Sequence, residues 1–385
     1  MPPWKADTLY RKFVDQRVLS VPEIRLIKDW VEQGKVVGDI KQSVPTPVLE
    51  KQSNLGKPNL ILRMEEPYRL TSDNQDTVVF FKINYSIPSD TNVLAFEFSA
   101  GNLKAVHHVN TWVFPDSSEY QRFYGKPEPP PMESWFEYST GHWPSFKHQE
   151  QPASATIDLH YPEYFPVVPA LYYDGWVPGT SARRWPPGFG FRLPKKGFIV
   201  LQIHYAPSPI EQFDQSQINI FYTPHKVDRY IESFNIGSGG GVAEPEPQLI
   251  LPPNTIKSFE ITANVAKDLS YLYLNPHMHY LGKSMKAYAV TPANDTIQLV
   301  WIRKWDFKWQ EFYKPLSLIK IPKGSRIKVF ATFDNTADNP ENRFSPPIEI
   351  HQGGNSIDEM MSLIILSVQY KNGDENIKLK SDLDR

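Results

Sequence analysis

The spacing of apolar positions changes character along this chain. Between Ser20 and Gly34, Ile24, Ile27, Trp30 and Val31 recur at helical spacing and predict one amphipathic helix. Ser20-Val-Pro-Glu23 opens it as a capping box, in which the Ser hydroxyl accepts from the third N–H and the Glu reaches back. Gly34 stands where a helix stops. Gln42 to Pro58 has no period and reads as a Pro-rich linker. From Asn59 the pattern becomes short runs of β-branched and aromatic residues bounded by Pro, Gly, Asn or Asp. Leu60-Ile-Leu-Arg63, Thr77 to Ile83, Val93 to Phe98 and Phe198 to Tyr205 are such runs. Ser117 to Pro187 interrupts them with a long, weakly periodic stretch rich in Pro, Trp and Tyr, read as a loop that packs. Gly237 to Gly241 and Glu244-Pro-Glu-Pro247 form a flexible stretch, after which strands resume at Ser258, Leu269, Arg326 and Leu363.

No internal repeat is visible. The expectation is an all-β fold of two β-sandwich domains behind a short helical segment. The divisions are 1–58 for the helical segment and linker, 59–228 for one sandwich and 229–385 for the other.

Composition narrows the picture without changing it. The 385 residues fit two domains. The 36 prolines are close to double the usual share of about 5%, which disfavours long helices. The formal net charge is -2 and no long block of like charge appears, so neither a nucleic-acid surface nor a polybasic anchor is expected. No run of eighteen apolar residues exists, so no membrane span is expected. No apolar signal region is visible at the N-terminus. The absence of cysteine removes disulfides, thiolate metal sites and cysteine nucleophiles together.

The chemistry lies among the ten histidines. His277-Met-His279 follows a strand-like run, and residues i and i+2 of a strand share a face, so both imidazoles can reach one metal. Surface or packed histidines give the same pattern. His107-His108 are neighbours and point to opposite faces unless a bulge or strand end intervenes. Gln202-Ile-His204 puts an amide and an imidazole on one face, as a core hydrogen-bonding pair also would. Asp358-Glu-Met360-Met361 precedes an apolar strand; such methionines are usually core, but a thioether ligand would favour Cu(I). No serine-hydrolase elbow, P-loop or helical zincin motif is present. A zinc hydrolase at His277 and His279 would also lack an acidic base in a recognised motif.

In their order these elements are specific. His107-His108, Leu201-Gln-Ile-His204-Tyr, His277-x-His279-x-Leu-Gly-Lys283 and Asp358-Glu-Met360 resemble the ascorbate-dependent type II copper monooxygenases, over about Asn59 to Tyr370. Pro187-Gly-Phe-Gly-Phe-Arg192 and Phe312-Tyr-x-Pro315 ahead of Lys323-Gly-Ser-Arg326 add to the likeness.

The resemblance implies a pair of jelly-roll sandwiches with two copper ions facing across an open cleft. His107, His108 and His204 would hold one, which transfers electrons. His277, His279 and Met360 would hold the other, where O2 reacts and Met360 favours Cu(I). Gln202 matches a glutamine near the first copper, in a catalytic or a hydrogen-bonding role. The implied activity is hydroxylation of a C–H bond with O2 and an external one-electron reductant, ascorbate or a cytochrome. The substrate would be a small molecule or peptide, and the implied location periplasmic or extracellular. A copper-binding or electron-transfer protein that kept the fold without catalysis is the alternative.

The chain also departs from the family's peptide-amidating members. Asn275 stands where they carry an arginine that grips a peptide carboxylate, and Ser362 and Ile364 replace that arginine's Asn and Tyr partners. Glycine-extended peptides are therefore not the expected substrate. The aromatic insertion of about 118–174, with His142, His148 and His160, has no counterpart there. Met1-Pro-Pro-Trp4 and Leu19 to Val31 are similar to the end of a c-type cytochrome domain, which implies a cytochrome partner. No Cys-x-x-Cys-His is present to attach haem to this chain.

Overall fold

The computed structural model describes residues 4–39, 53, 55–72, 74, 77–116, 118–119, 122, 142–143, 172–178, 180, 182–238, 242–353 and 357–381. It is an all-β molecule of two sandwiches with one helix near the N-terminus. His148, His160 and Met1 lie outside the described residues, as does most of the insertion.

In the first sandwich one sheet runs His142–Trp143, Thr77–Ser86, Lys196–Tyr205, Val106–Pro115 and Tyr172–Trp176. The other runs Leu60–Arg63, Gln217–Thr223, Thr91–Ser99, Phe189–Leu193 and Arg229–Tyr230. In the second sandwich Glu232–Gly237, Met361–Gln369, Leu269–Met278 and Ile319–Ile321 form one sheet. Ile256–Asn264, Arg326–Asp334, Gly282–Val290 and Thr296–Ile302 form its partner. Strands up to Tyr230 pair only with one another, and so do those from Glu232, among the described residues.

The strands form where the sequence alternates or runs apolar. Arg326–Asp334 turns Ile327, Val329, Ala331 and Phe333 inward, while the residues between them stay half-buried or exposed. Lys196–Tyr205 and Met361–Gln369 are paired on both edges and are buried almost throughout, so they read as continuous apolar runs. The two cores are not isolated. Tyr273, Phe312, Leu366 and Val368 of the second sandwich belong to the same buried cluster as Val79, Phe191 and Ile203 of the first. Arg229 and Asp374, both buried, join the sandwiches through an ion pair with an N–O distance of 2.8 Å.

The helix Val21–Glu32 carries its capping box, with Ser20 as N-cap and Glu23 reciprocating, and Gly34 follows at φ +83°. None of its residues is buried. The segment before it behaves differently. Ala6 bridges to Ile302 and Phe13 to Pro315, and Trp4 and Phe13 pack on the Tyr313 ring at 5.3 and 5.2 Å. Residues 4–13 thus lie on the second sandwich, while the helix beyond them stands free of either core. No helix among the described residues is long and apolar enough to cross a membrane.

Candidate metal centres

The first centre depends on a fault in strand pairing. Lys196–Tyr205 and Val106–Pro115 pair regularly down to His204 opposite His108, and then the register slips so that Tyr205 faces Val106. His107 is the extra residue, so two histidines oppose one. This bulge removes the opposition between neighbouring side chains that a regular strand imposes. His107, His108 and His204 consequently converge, with their ligand nitrogens all within 4.8 Å of one another. His108 Nδ1 lies 3.3 Å from His107 Nδ1 and 3.3 Å from His204 Nδ1. Two imidazole nitrogens each about 2.0–2.1 Å from a common metal at a tetrahedral angle are separated by about 3.3 Å. The three residues therefore fit a single metal ion. Burial and the neighbouring His204, His107, His277 and His279 hold the His108 pKa well below the usual imidazole value, which keeps its lone pair free for a metal.

The second set sits where Leu269–Met278 ends. Met278 is fully buried in the core, so His277 and His279 project from the opposite face, with ring centroids 5.1 Å apart. The partner strand pairs Ser362 with His277 and Met361 with Met278. Met361 shares the core side with Met278 and is itself fully buried. Met360 is half-buried and directly precedes the paired strand, one position beyond the last recorded pair, so strand alternation continued by one residue would turn it toward the side of His277 and His279.

Both rings are oriented through Nδ1. His279 Nδ1 lies 3.0 Å from the Asp358 carbonyl oxygen, and His277 Nδ1 contacts Gln310 Oε1. Each acceptor assigns the proton to Nδ1 and leaves Nε2 with its lone pair, the arrangement a metal-binding histidine uses. The Gln310 amide is itself fixed, because its Nε2 donates to the Phe307 carbonyl at 3.0 Å. Burial pushes the His277 pKa down to about 4, partly offset by Gln310, so the ring is neutral at pH 7.

Beneath the turn lies Glu359, fully buried. It accepts N–H bonds from His279 (2.9 Å), Leu281 (2.6 Å) and Met360 (3.2 Å). Burial pushes its pKa up to about 8, against those three donors. Trp305 Nε1 donates to the His279 carbonyl at 3.0 Å. Gly282 permits that approach: a Cβ there would lie 2.9 Å from Trp305 Cδ1.

The two sets share one neighbour. The Phe307 ring lies 5.6 Å from His279 and 5.8, 5.7 and 6.0 Å from His107, His108 and His204, centroid to centroid. All five histidines therefore gather around one segment, Trp305 to Gln310, instead of facing across open solvent. Sequence reasoning missed Phe307 and Gln310; the aromatic density of Trp305-Asp-Phe-Lys-Trp-Gln310 was the only local signal.

Gln202 lies opposite Asn110 and accepts its side-chain N–H at 3.0 Å, on the face of His204. Asn275 donates to the Glu311 carbonyl, Ser362 to the Ser238 carbonyl, and Ile364 is buried. His142 is in a short strand beside Phe81.

Replacing Gln310 with Ala should weaken metal at His277 by about 10–100-fold, the usual cost of losing the partner that orients a ligand. Competition titration with a copper chelator reads this directly. An unchanged affinity would mean that Gln310 leaves the ring orientation unaffected.

No family model and no curated protein matches this chain. Among solved structures it aligns with infectious bursal disease virus VP2 in a subviral particle, at 8% identity and TM-score 0.20, covering 87% of this chain and 75% of that one. Structures of infectious bursal disease virus Gt and Gx strains align at 11% and 10% identity with TM-scores of 0.18 and 0.19, covering 87% of this chain and 77% of theirs. Superpositions this poor bear on neither fold nor function.

Proposed function

We propose that the chain is a copper-dependent monooxygenase that hydroxylates a C–H bond with O2 through two separate mononuclear copper sites. The observation that carries the reading is the bulge-built convergence of His107, His108 and His204, together with His277 and His279 whose Nδ1 atoms are both engaged. His107, His108 and His204 would hold one copper, and His277, His279 and Met360 the other. Three imidazoles suit a site that cycles between Cu(II) and Cu(I), whereas two imidazoles and a thioether favour Cu(I). Bound there, each copper would supply one of the two electrons that O2 reduction needs beyond those taken from the C–H bond.

The protein's own groups do the rest. Gln310 and the Asp358 carbonyl hold the protons on Nδ1 of His277 and His279, so that Nε2 of each carries the lone pair that would face copper. Phe307, against the rings of four of the five histidines, and Tyr280, packed on it at 4.3 Å, are both buried and would keep water from that side of the two sets. Gln202 and Asn110 brace the strands that carry His204 and His108. The external reductant is ascorbate or a c-type cytochrome, the substrate a small molecule or peptide without a carboxylate clamp, and the setting periplasmic or extracellular.

Metal analysis of protein saturated with Cu(II) tests this. Two equivalents per chain are expected, falling to one in His107→Ala. O2 uptake with ascorbate in the presence of a hydroxylatable substrate should require both. A plateau at one equivalent that His107→Ala leaves unchanged would sink the two-site reading. Two firmly bound coppers without O2 uptake under any reductant would favour a non-catalytic copper-binding protein.

A further inference from the structure

Phe307 lies against both ligand sets, and its place relative to His107, His108 and His204 is specific. Three imidazoles leave at least one coordination position of a copper free. The Phe307 ring is nearly equidistant from the rings of His107, His108 and His204, at 5.8, 5.7 and 6.0 Å, and so stands close to the axis of the triad. That axis is where a fourth ligand would approach. A phenyl ring cannot coordinate, so it closes the position without filling it chemically.

The ring is not a loose lid. Phe307 is 5% exposed and packs on Tyr280 at 4.3 Å. Its backbone is held in a tight turn, with Trp309 N–H donating to the Asp306 carbonyl at 2.9 Å and Lys308 N–H to Asp306 Oδ1 at 3.1 Å. Gln310 Nε2 holds its carbonyl at 3.0 Å. The wedge comes from the second sandwich and reaches the triad of the first.

We infer that Phe307 is a positioning residue that caps one side of the metal site formed by His107, His108 and His204 and so restricts the binding of small ligands there. This rests on the two-copper reading above. It gives the triad a covered side: a copper held there could exchange electrons, while small ligands approaching from the side of Phe307 would be turned away. The same wedge carries Gln310 to His277, so capping one site and orienting a ligand of the other are properties of one turn.

Azide binding to Cu(II) tests the cap without using turnover. His277→Ala confines copper to the triad and leaves the ring neighbours of Phe307 in place. This variant should bind one equivalent of copper and respond weakly to azide, read by the charge-transfer band and the EPR spectrum. Adding Phe307→Ala should tighten azide binding at least about tenfold and change both spectra. Adding Phe307→Leu, which keeps apolar bulk, should leave azide binding near that of the parent. If Phe307→Ala proves unstable, Phe307→Val reads the same change from a milder truncation, with one equivalent of copper as the check on folding. Equal azide affinity with Phe and Ala at equal copper content would overturn the cap, as would tight azide binding in the parent. A His277→Ala protein that binds no copper at all would instead overturn the two-copper reading and the cap with it.

Discussion

Met360→Ile is expected to abolish O2 consumption, by at least about a hundredfold, while leaving the protein folded. Removing a group that merely orients a ligand costs up to about a hundredfold, and loss of the ligand itself should cost no less. The side chains are similar in bulk, and volume-conserving apolar changes cost under about 1.5 kcal/mol. The neighbouring residue supplies the control. Met361 is fully buried opposite Met278 in the core, whereas Met360 is half-buried and precedes the paired strand. Met361→Ile should therefore lower the melting temperature slightly and leave copper binding intact. Loss of activity in Met361→Ile with retention in Met360→Ile would place the thioether one residue away from this assignment.

The largest effect on stability is expected from Arg229→Met. Asp374 is 2% exposed and receives the Arg229 guanidinium, the Ser270 hydroxyl at 2.6 Å and the Lys371 N–H at 3.1 Å. Burial alone would raise its pKa; those three donors more than offset it and hold the carboxyl below its usual value. Removing the guanidinium leaves a buried charge without its counter-ion, at a cost of about 3–5 kcal/mol. The pH dependence gives the sign. A carboxyl with a depressed folded pKa adds stability above the unfolded value of about 3.9, and that stability is lost as pH falls through the folded pKa. In Arg229→Met the guanidinium no longer offsets burial, so protonating Asp374 relieves the variant, while the parent keeps the full Asp374 contribution until pH falls below the unfolded value of about 3.9. Denaturant titrations should show a deficit of that size at pH 7 that closes toward pH 4. A deficit below about 1 kcal/mol at pH 7 would mean that the sandwiches are joined by apolar packing alone.

The pair also shows why domain organisation was only partly legible. Strand pairing changes partners between Tyr230 and Glu232, and among the described residues the strands on each side of it pair only with one another. The continuous core under Tyr273, Phe312 and Leu366 could not be read from the chain, since nothing local shows which sheet faces are covered by the other sandwich.

What the sequence determined by itself is what short-range geometry determines. Strand alternation placed His277 and His279 on one face and Met278 on the other, and the capping box set the start of the helix at Val21. The β-branched and aromatic runs located the strands because backbone pairing and side-chain pitch repeat every two residues. Tertiary structure decided the rest. His107 and His108 share a site only because the pairing with His204 slips by one residue, and a slip belongs to two strands, not to one. The predicted helix formed but buried none of its apolar residues, since periodicity states which face could pack and not whether a surface is there to receive it. Phe307 and Gln310 reach the histidines from about 30 to 200 positions away along the chain, through a turn with no period of its own. Gln310 meets His277 inside the second sandwich, and Phe307 meets the triad only through the packing of one sandwich against the other; both are long-range events that no local pattern in the chain encodes.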